Sequence, residues 1–301
     1  MDALIQSLVQ ANFAPERIAP QASMAQYTTL RIGGPAEVMV NIHSADEIAV
    51  ALRAAKQADA PVTIIGNGSN LLVRDGGIRG LVLRISGGLN AIRREGDCLL
   101  VQAGASLAAV AAFARDEGLS GMAELGGIPG TVGGGVYMNA GAYGGEIRTV
   151  CRWSQEMLPD GTLVRREGVS QGFGYRTSVF QHTDGVIVRA CFALQPGDPG
   201  IIRETMRELM TRRTVSQPLD LPSAGSAFKR PQGGYAAALI ESAGLKGLTV
   251  GGAQVSEKHA GFVVNRGGAT AADVLELLRQ VQQRVLEHSG IRLEPEIRLW
   301  D

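Results

Sequence analysis

The chain has 301 residues, enough for two or three compact domains with a substantial core. Its 29 Lys and Arg balance 29 Asp and Glu, so no global field favours nucleic acid or an anionic membrane. The three cysteines (Cys98, Cys151, Cys191) contain no CxxC and the four histidines (His43, His182, His259, His288) are scattered, which fits reduced thiols in the cytoplasm and offers no metal site.

The opening MDALIQSLVQANF begins with an acid and lacks both a basic stretch and a long apolar stretch, so it reads as a short amphipathic helix and not as a signal peptide. No window approaches the ~18 consecutive apolar residues of a membrane span. Ala36 to Ile42 reads as a strand, and the Ser44-x-x-Glu47 capping box predicts a helix carrying Ile48, Ala51, Leu52 and Ala55. The β-branched run Pro61 to Ile65 is a strand that leads directly into Gly66-Asn67-Gly68-Ser69-Asn70, and Leu81 to Ile85 is another. Ser106 caps a helix with Leu107, Val110, Ala111 and Ala114 on one face, closed by Gly118.

The run from Gly126 to Gly145 contains nine glycines in twenty residues. Ile128, Pro129, Val132, Val136, Tyr137 and Met138 are mixed in, and Thr131 is its one hydroxyl residue, so it is not a flexible linker. Two readings fit: tight buried turns, or a cradle whose glycines take positive φ and let the main chain approach a flat or phosphorylated ligand. Beyond it the pattern is mostly β. Arg152–Leu158 and Thr162–Arg165 flank the turn signal Pro159-Asp160-Gly161, and Val186–Leu194 is a further strand. Ile201–Arg213 is helical, and Thr214–Pro222, with two prolines and no periodicity, reads as a linker. A smaller unit follows, with a helix at Tyr235–Ala243, strands near Leu248–Val255 and Gly261–Val264, and a long helix Ala271–His288 capped by Thr270 and ended by Gly290. A final strand, Arg292–Trp300, is expected to return to the middle domain. The order of elements is that of an α+β protein.

Gly66–Asn70 follows a strand and can present backbone N–H groups and a hydroxyl to a pyrophosphate, although a plain turn explains it equally well. It lacks the third glycine of a dinucleotide fingerprint and the Gly-Lys of a P-loop. Leu30–Pro35, with Arg31 and Gly33, adds a third glycine turn. Arg176, Ser226 and Glu296 stand in unusual settings, although each alone is also explained by a surface role.

Taken together, GNGSNLLV, GGIPGTVGGGVYMNAGAYGGE, FGYRTS, PSAGSAFKRP, HAGFVVN and EPEIRLW resemble the UDP-N-acetylenolpyruvoylglucosamine reductases, in family order from about Thr28 to Trp300. The spacing resembles that of the shorter subtype, which lacks an extra tyrosine-bearing loop. The resemblance implies an FAD-binding fold of the vanillyl-alcohol-oxidase/p-cresol-methylhydroxylase type, with FAD-binding subdomains at 1–80 and 81–213. Residues 291–301 would return to the second subdomain, and 214–290 would form a substrate-binding domain. It implies noncovalent FAD, NADPH as co-substrate and an enolpyruvyl UDP-N-acetylglucosamine substrate in peptidoglycan synthesis; the cysteine pattern and the lack of an exposed heptad pattern make a cytoplasmic monomer the simplest expectation. By the same resemblance, Arg31, Gly33, Gly66, Asn67, Gly68, Ser69, Asn70, Gly126, Pro129, Gly130, Thr131, Gly133, Gly134, Asn139, Ala140 and Gly141 would hold the flavin. Arg176 would pair with the substrate carboxylate, Ser226 would donate a proton and Glu296 would help polarise the carboxyl group. Tyr175, Lys229, Arg230 and His259 are assigned to substrate, with Arg212 and Arg213 as supplements, although a packed or surface histidine explains His259 more simply. Lys229 would also steady the Ser226 alkoxide. Ser216 departs from the lysine that the family often carries before Gln217-Pro218.

Overall fold

The computed structural model describes residues 1–301. The chain divides into two compact units, each assembled from three stretches: 1–20, 38–67 and 80–212 in the first, and 21–37, 68–79 and 213–301 in the second.

The helices associated with the first unit are α1 (Asp2–Gln10), α2 (Ala45–Gln57), α3 (Leu107–Asp116), α4 (Val132–Met138), α5 (Ile147–Val150) and α6 (Pro199–Ser216), the last continuing into the second unit. One sheet has the order Ile18–Ser23, Pro35–Asn41, Ile78–Arg84, Val62–Ile65. Val62–Ile65 pairs in parallel with Leu81–Arg84. A second, antiparallel sheet runs Leu163–Glu167, Cys151–Met157, Val186–Ala193, Cys98–Gln102, Ile92–Glu95. The α2 face read from the sequence is the one that is buried: Ile48, Ala51, Leu52 and Ala55 join Leu81 and Leu83 in the core. Burying each large aliphatic chain contributes about 1.5–3 kcal/mol. The expected caps form as hydrogen bonds: Ser44 Oγ accepts from Glu47 N at 3.2 Å and Ser106 Oγ from Ala109 N at 3.1 Å. Gly118 takes φ +66° just past α3.

In the second unit an antiparallel sheet (Ser223–Ser226, Phe262–Asn265, Ala253–Val255, Thr249–Val250) carries α7 (Ala236–Ser242) and α8 (Ala271–Ser289). Val274, Leu277, Val281 and Val285 of α8 are buried with Ile240, Leu245 and Val263. Thr270 and Asp273 form the α8 capping box, and Asp75 adds a second cap, its two carboxylate oxygens accepting from Ala271 N (2.8 Å) and Ala272 N (3.0 Å).

Three expectations are corrected. The glycine run does not rely on positive φ, which only Gly144 among its glycines adopts, and its centre is helical as α4. The 214–222 linker is shorter than expected, because α6 runs on to Ser216. The final strand is only Arg298–Trp300, and it pairs in parallel with Leu71–Val73 of its own unit, not with the 81–213 block. Pro295 accounts for the break: it has no N–H to donate, and the chain changes ladder there. Glu296 N donates to Ala227 O (2.9 Å), whereas Arg298 N donates to Asn70 O (3.0 Å).

Candidate functional site

In the first unit the two glycine-rich loops meet. Asn67 Nδ2 donates to Pro129 O at 3.1 Å. A Cβ on Gly66 would lie 3.2 Å from Thr131 Cγ2 and would overlap Thr131 Oγ1, so only glycine permits this approach. The strand leading to Gly66 is fixed by the 62–65 pairing, and Ser86 Oγ donates to Gly66 O at 3.0 Å. The N–H groups of Asn67, Gly130 and Thr131 have no acceptor in the protein. The first turn of α4, by contrast, is already satisfied: Val132 N donates to Ala105 O, Gly133 N to Ala103 O and Gly134 N to Thr131 Oγ1. Gly126, Gly133 and Gly135 serve packing, since Cβ atoms there would come within 2.8 Å of Ala111 Cβ, 3.1 Å of Ala103 Cβ and 3.2 Å of Leu107 Cδ1.

Asn139, expected at the flavin, is 1 % exposed and ends α4 in the left-handed region (φ +42°). Its Nδ2 donates to Glu146 Oε2 and Gly174 O, both at 2.9 Å, while its Oδ1 accepts from Arg148 N. The side chain is therefore committed inside the protein, where it ties α4 to the Phe173–Ser178 segment. Ala140 N donates to Gly135 O, and Gly141 pairs with Glu146 in a two-residue ribbon.

Arg176 is half-buried and itself left-handed, at φ +56°. It sits in a turn closed by reciprocal bonds between Gly174 and Thr177, and its Nη1 donates to Gly141 O at 3.3 Å. Its guanidinium lies 5.4 Å from the centroid of the exposed Tyr175 ring. Sequence reasoning missed two residues here, Ser178 and Gln181, which donate to Tyr137 O at 2.7 and 3.0 Å. The hydroxyl after Thr177 was visible in the FGYRTS motif, but nothing local identified Gln181.

In the second unit Gly68, Ser69 and Asn70 turn against the Thr28–Gly33 loop, with Thr29 N donating to Gly68 O (3.2 Å). Their own N–H groups have no protein acceptor. Arg31 is left-handed (φ +56°), and a Cβ on Gly33 would come within 2.9 Å of Val73 Cβ.

Ser226 and Glu296 lie in neighbouring segments, because 227–229 pairs antiparallel with 294–296 through Glu296 N to Ala227 O and Lys229 N to Glu294 O. Asn70 Nδ2 donates to Glu296 O at 3.2 Å, adding a second hold on that residue. Ser226 is exposed, and Glu296 is partly buried. Gly225 at φ +76° and a break in register between Ser223 and Ser226 interrupt the regular pleat immediately before the serine. Lys229 Nζ pairs with Glu294 Oε2 at 3.2 Å. Arg230 stacks on the exposed Tyr235 ring, 4.0 Å from its centroid.

His259 Nδ1 accepts from Gly261 N at 3.1 Å, and its ring meets Phe262 edge-on. Burial holds its pKa below the usual imidazole value. Arg212, on α6, lies 3.9 Å from Glu208.

Residues 36–167 match the family described as FAD binding domain, and residues 217–300 match UDP-N-acetylenolpyruvoylglucosamine reductase, C-terminal domain. The chain is 45% identical over 287 residues to the UDP-N-acetylenolpyruvoylglucosamine reductase of Levilactobacillus brevis, covering 95% of this chain and 94% of that protein. It is 44% identical to the enzyme of the same name from Rubrobacter xylanophilus, covering 94% and 97%. Among solved structures it resembles UDP-N-acetylenolpyruvylglucosamine reductase from Thermus caldophilus, with 37% identity, a TM-score of 0.81 and coverage of 93% and 97%. No helix is long and apolar enough to cross a membrane.

Proposed function

The chain belongs to the UDP-N-acetylenolpyruvoylglucosamine reductase family, and from that membership we propose that it reduces the enolpyruvyl ether of UDP-N-acetylglucosamine to UDP-N-acetylmuramate. It takes electrons from NADPH through noncovalent FAD, in peptidoglycan synthesis, as a cytoplasmic monomer. The observation that carries the reading is that both family regions match in order on one chain that also aligns nearly end to end with a solved reductase.

The first unit fits a flavin dinucleotide by its own construction. Gly66 and Asn67 touch Pro129 and Thr131, no room remains for a side chain at residue 66, and Asn67, Gly130 and Thr131 keep their N–H groups open. Oriented backbone N–H groups of this kind suit a pyrophosphate. Within the second unit, Gly68, Ser69 and Asn70 likewise keep their N–H groups open, and Arg31 lies in the loop that they turn against. Gly126 and Gly133 then contribute mainly through the packing that holds this loop, Gly134 through the N–H that it donates to Thr131 Oγ1, and Ala140 and Gly141 through their main chain. When bound, FAD supplies the two-electron carriage that joins NADPH oxidation to reduction of the double bond.

Reduction adds hydride at the methylene carbon and a proton at the carbon bearing the carboxylate, so negative charge builds on the carboxylate side. The Arg176 guanidinium pairs with that carboxylate and holds the developing charge. The Ser226 hydroxyl delivers the proton, and Glu296 hydrogen-bonds the carboxyl group. Two ladder bonds join the segment that follows Ser226 to the segment of Glu296, and the Asn70 amide holds Glu296 O, which supports assigning both residues to one step. Tyr175, Lys229, Arg230 and His259 bind the rest of the sugar nucleotide. In this role Lys229 exchanges Glu294, its partner in the structure, for the diphosphate.

Stopped-flow spectroscopy separates the two half-reactions. Ser226→Ala is expected to keep flavin reduction by NADPH and to slow flavin reoxidation by the enolpyruvyl sugar nucleotide about 10²–10³-fold, the usual cost of losing one such donor. Intact reoxidation in that variant would remove Ser226 from its role. A wild-type enzyme whose NADPH oxidation ignores the sugar nucleotide would overturn the function itself.

A further inference from the structure

We propose that Gln181 is a positioning residue for Arg176, holding its left-handed turn against the end of α4. The proposal rests on the assignment of Arg176 to the substrate carboxylate.

The observation begins with strain. A non-glycine residue at φ +56° is in a sparsely populated region and remains there only when its surroundings fix it. Gln181 Nε2 donates to the carbonyl of Arg176 itself and to Tyr137 O, each at 3.0 Å. A single amide therefore joins the strained residue to α4, the helix inside the glycine run. The other fastenings act on the flanks: Asn139 Nδ2 on Gly174 O, and Ser178 Oγ on Tyr137 O. Of these, only Gln181 grips the Arg176 backbone directly. An amide suits the position because it presents two donors to two carbonyls, which a carboxylate cannot do. Asn139 and Ser178 are each 1 % exposed, so their side of the turn is anchored in the interior. A guanidinium on a long, flexible stem stabilises a developing charge well only if its backbone is placed, and misplacement by about 1 Å can cost 10²-fold in rate.

The test is a double-mutant cycle on the FAD-loaded full chain, with Gln181→Ala and the near-isosteric Gln181→Glu each made alone and with Arg176→Ala. Each Gln181 variant should slow the enolpyruvyl half-reaction about 10- to 100-fold while leaving flavin content and reduction by NADPH unchanged. By calorimetry each should also weaken binding of UDP-N-acetylmuramate, whose carboxylate Arg176 would hold. In the Arg176→Ala background the Gln181 substitutions should add less than about twofold, because their effect passes through the missing guanidinium. Additive losses, equal slowing of both half-reactions, or lost flavin would show a general structural role and overturn the proposal. If Arg176→Ala alone left the enolpyruvyl step intact, the reading of Arg176 would fall and this proposal with it, an outcome distinct from additivity.

Discussion

Gly66→Ala tests the junction of the two glycine loops. The new methyl group would overlap Thr131 Oγ1 and press on Thr131 Cγ2 and Cβ at 3.2 and 3.3 Å. Thr131 is 2 % exposed and β-branched, so it has little freedom to turn away. If the hydroxyl moves, α4 loses the bond from Gly134 N to Thr131 Oγ1, a cap worth about 1 kcal/mol. Overpacking of this kind costs a further 1–3 kcal/mol or so, giving about 2–4 kcal/mol in total. The loss would appear as a lower urea midpoint at constant slope in the FAD-free protein. Flavin titration of the same variant should show weaker binding, because Asn67 is displaced from Pro129 O. Thr131→Gly alone removes the cap and some packing, yet combined with Gly66→Ala it removes the overlap. The double variant should therefore be more stable than the sum of the two single losses by about 1–2 kcal/mol, well above the ~0.5 kcal/mol scatter of independent sites. Additivity within that scatter, or a Gly66→Ala loss under about 0.5 kcal/mol, would refute the argument.

The pKa of His259 is held below 6.5 by burial, so on acidification the unfolded chain takes up its proton first. Stability should accordingly fall as pH drops from about 6.5 toward the folded pKa and level off below it, and His259→Gln should remove that dependence in denaturation curves measured across the window. Asp75→Ala should lower the urea midpoint by the equivalent of about 1 kcal/mol through loss of the second α8 cap, with Asp75→Asn intermediate. Arg166→Ala leaves the fully buried Glu156 with only its bond from Thr183 Oγ1, and should cost about 3–5 kcal/mol by the same assay. Cys98 should be alkylated in the native protein well before Cys151 and Cys191, since burial pushes the latter two up to about 12; mass mapping of the modified peptides checks the order.

What was legible in the sequence was local. Ser44, Ser106 and Thr270 cap helices, and Gly118 and Gly290 end them, because a cap is set by residues within four positions of one another. The motif set identified the family because its members are spread along most of the chain in order. What stayed hidden joins distant positions through bonds that end on a main-chain group, where the partner's side-chain identity leaves little trace. Asn67 reaches Pro129 across 62 residues, and Asp75 reaches the α8 N-terminus across 196. Leu71–Val73 takes the C-terminal strand although both segments are short and apolar enough to pair elsewhere.

The glycine run shows the limit most clearly. Its composition suggested conformational freedom, yet Gly144 is its one glycine at positive φ, whereas Asn139, Tyr143 and Arg176 take the left-handed region without being glycine. The glycines at 126, 133 and 135 are needed for the space they leave beside Ala111, Ala103 and Leu107. The unusual backbone has instead been assigned to residues whose side chains work: Asn139 ties down the Gly174–Thr177 turn, and Arg176 projects from it. Placing the proposed reactive cation in a strained turn makes its position depend on every bond that holds the turn, which is why an amide five residues downstream, absent from every motif, belongs to the same functional unit.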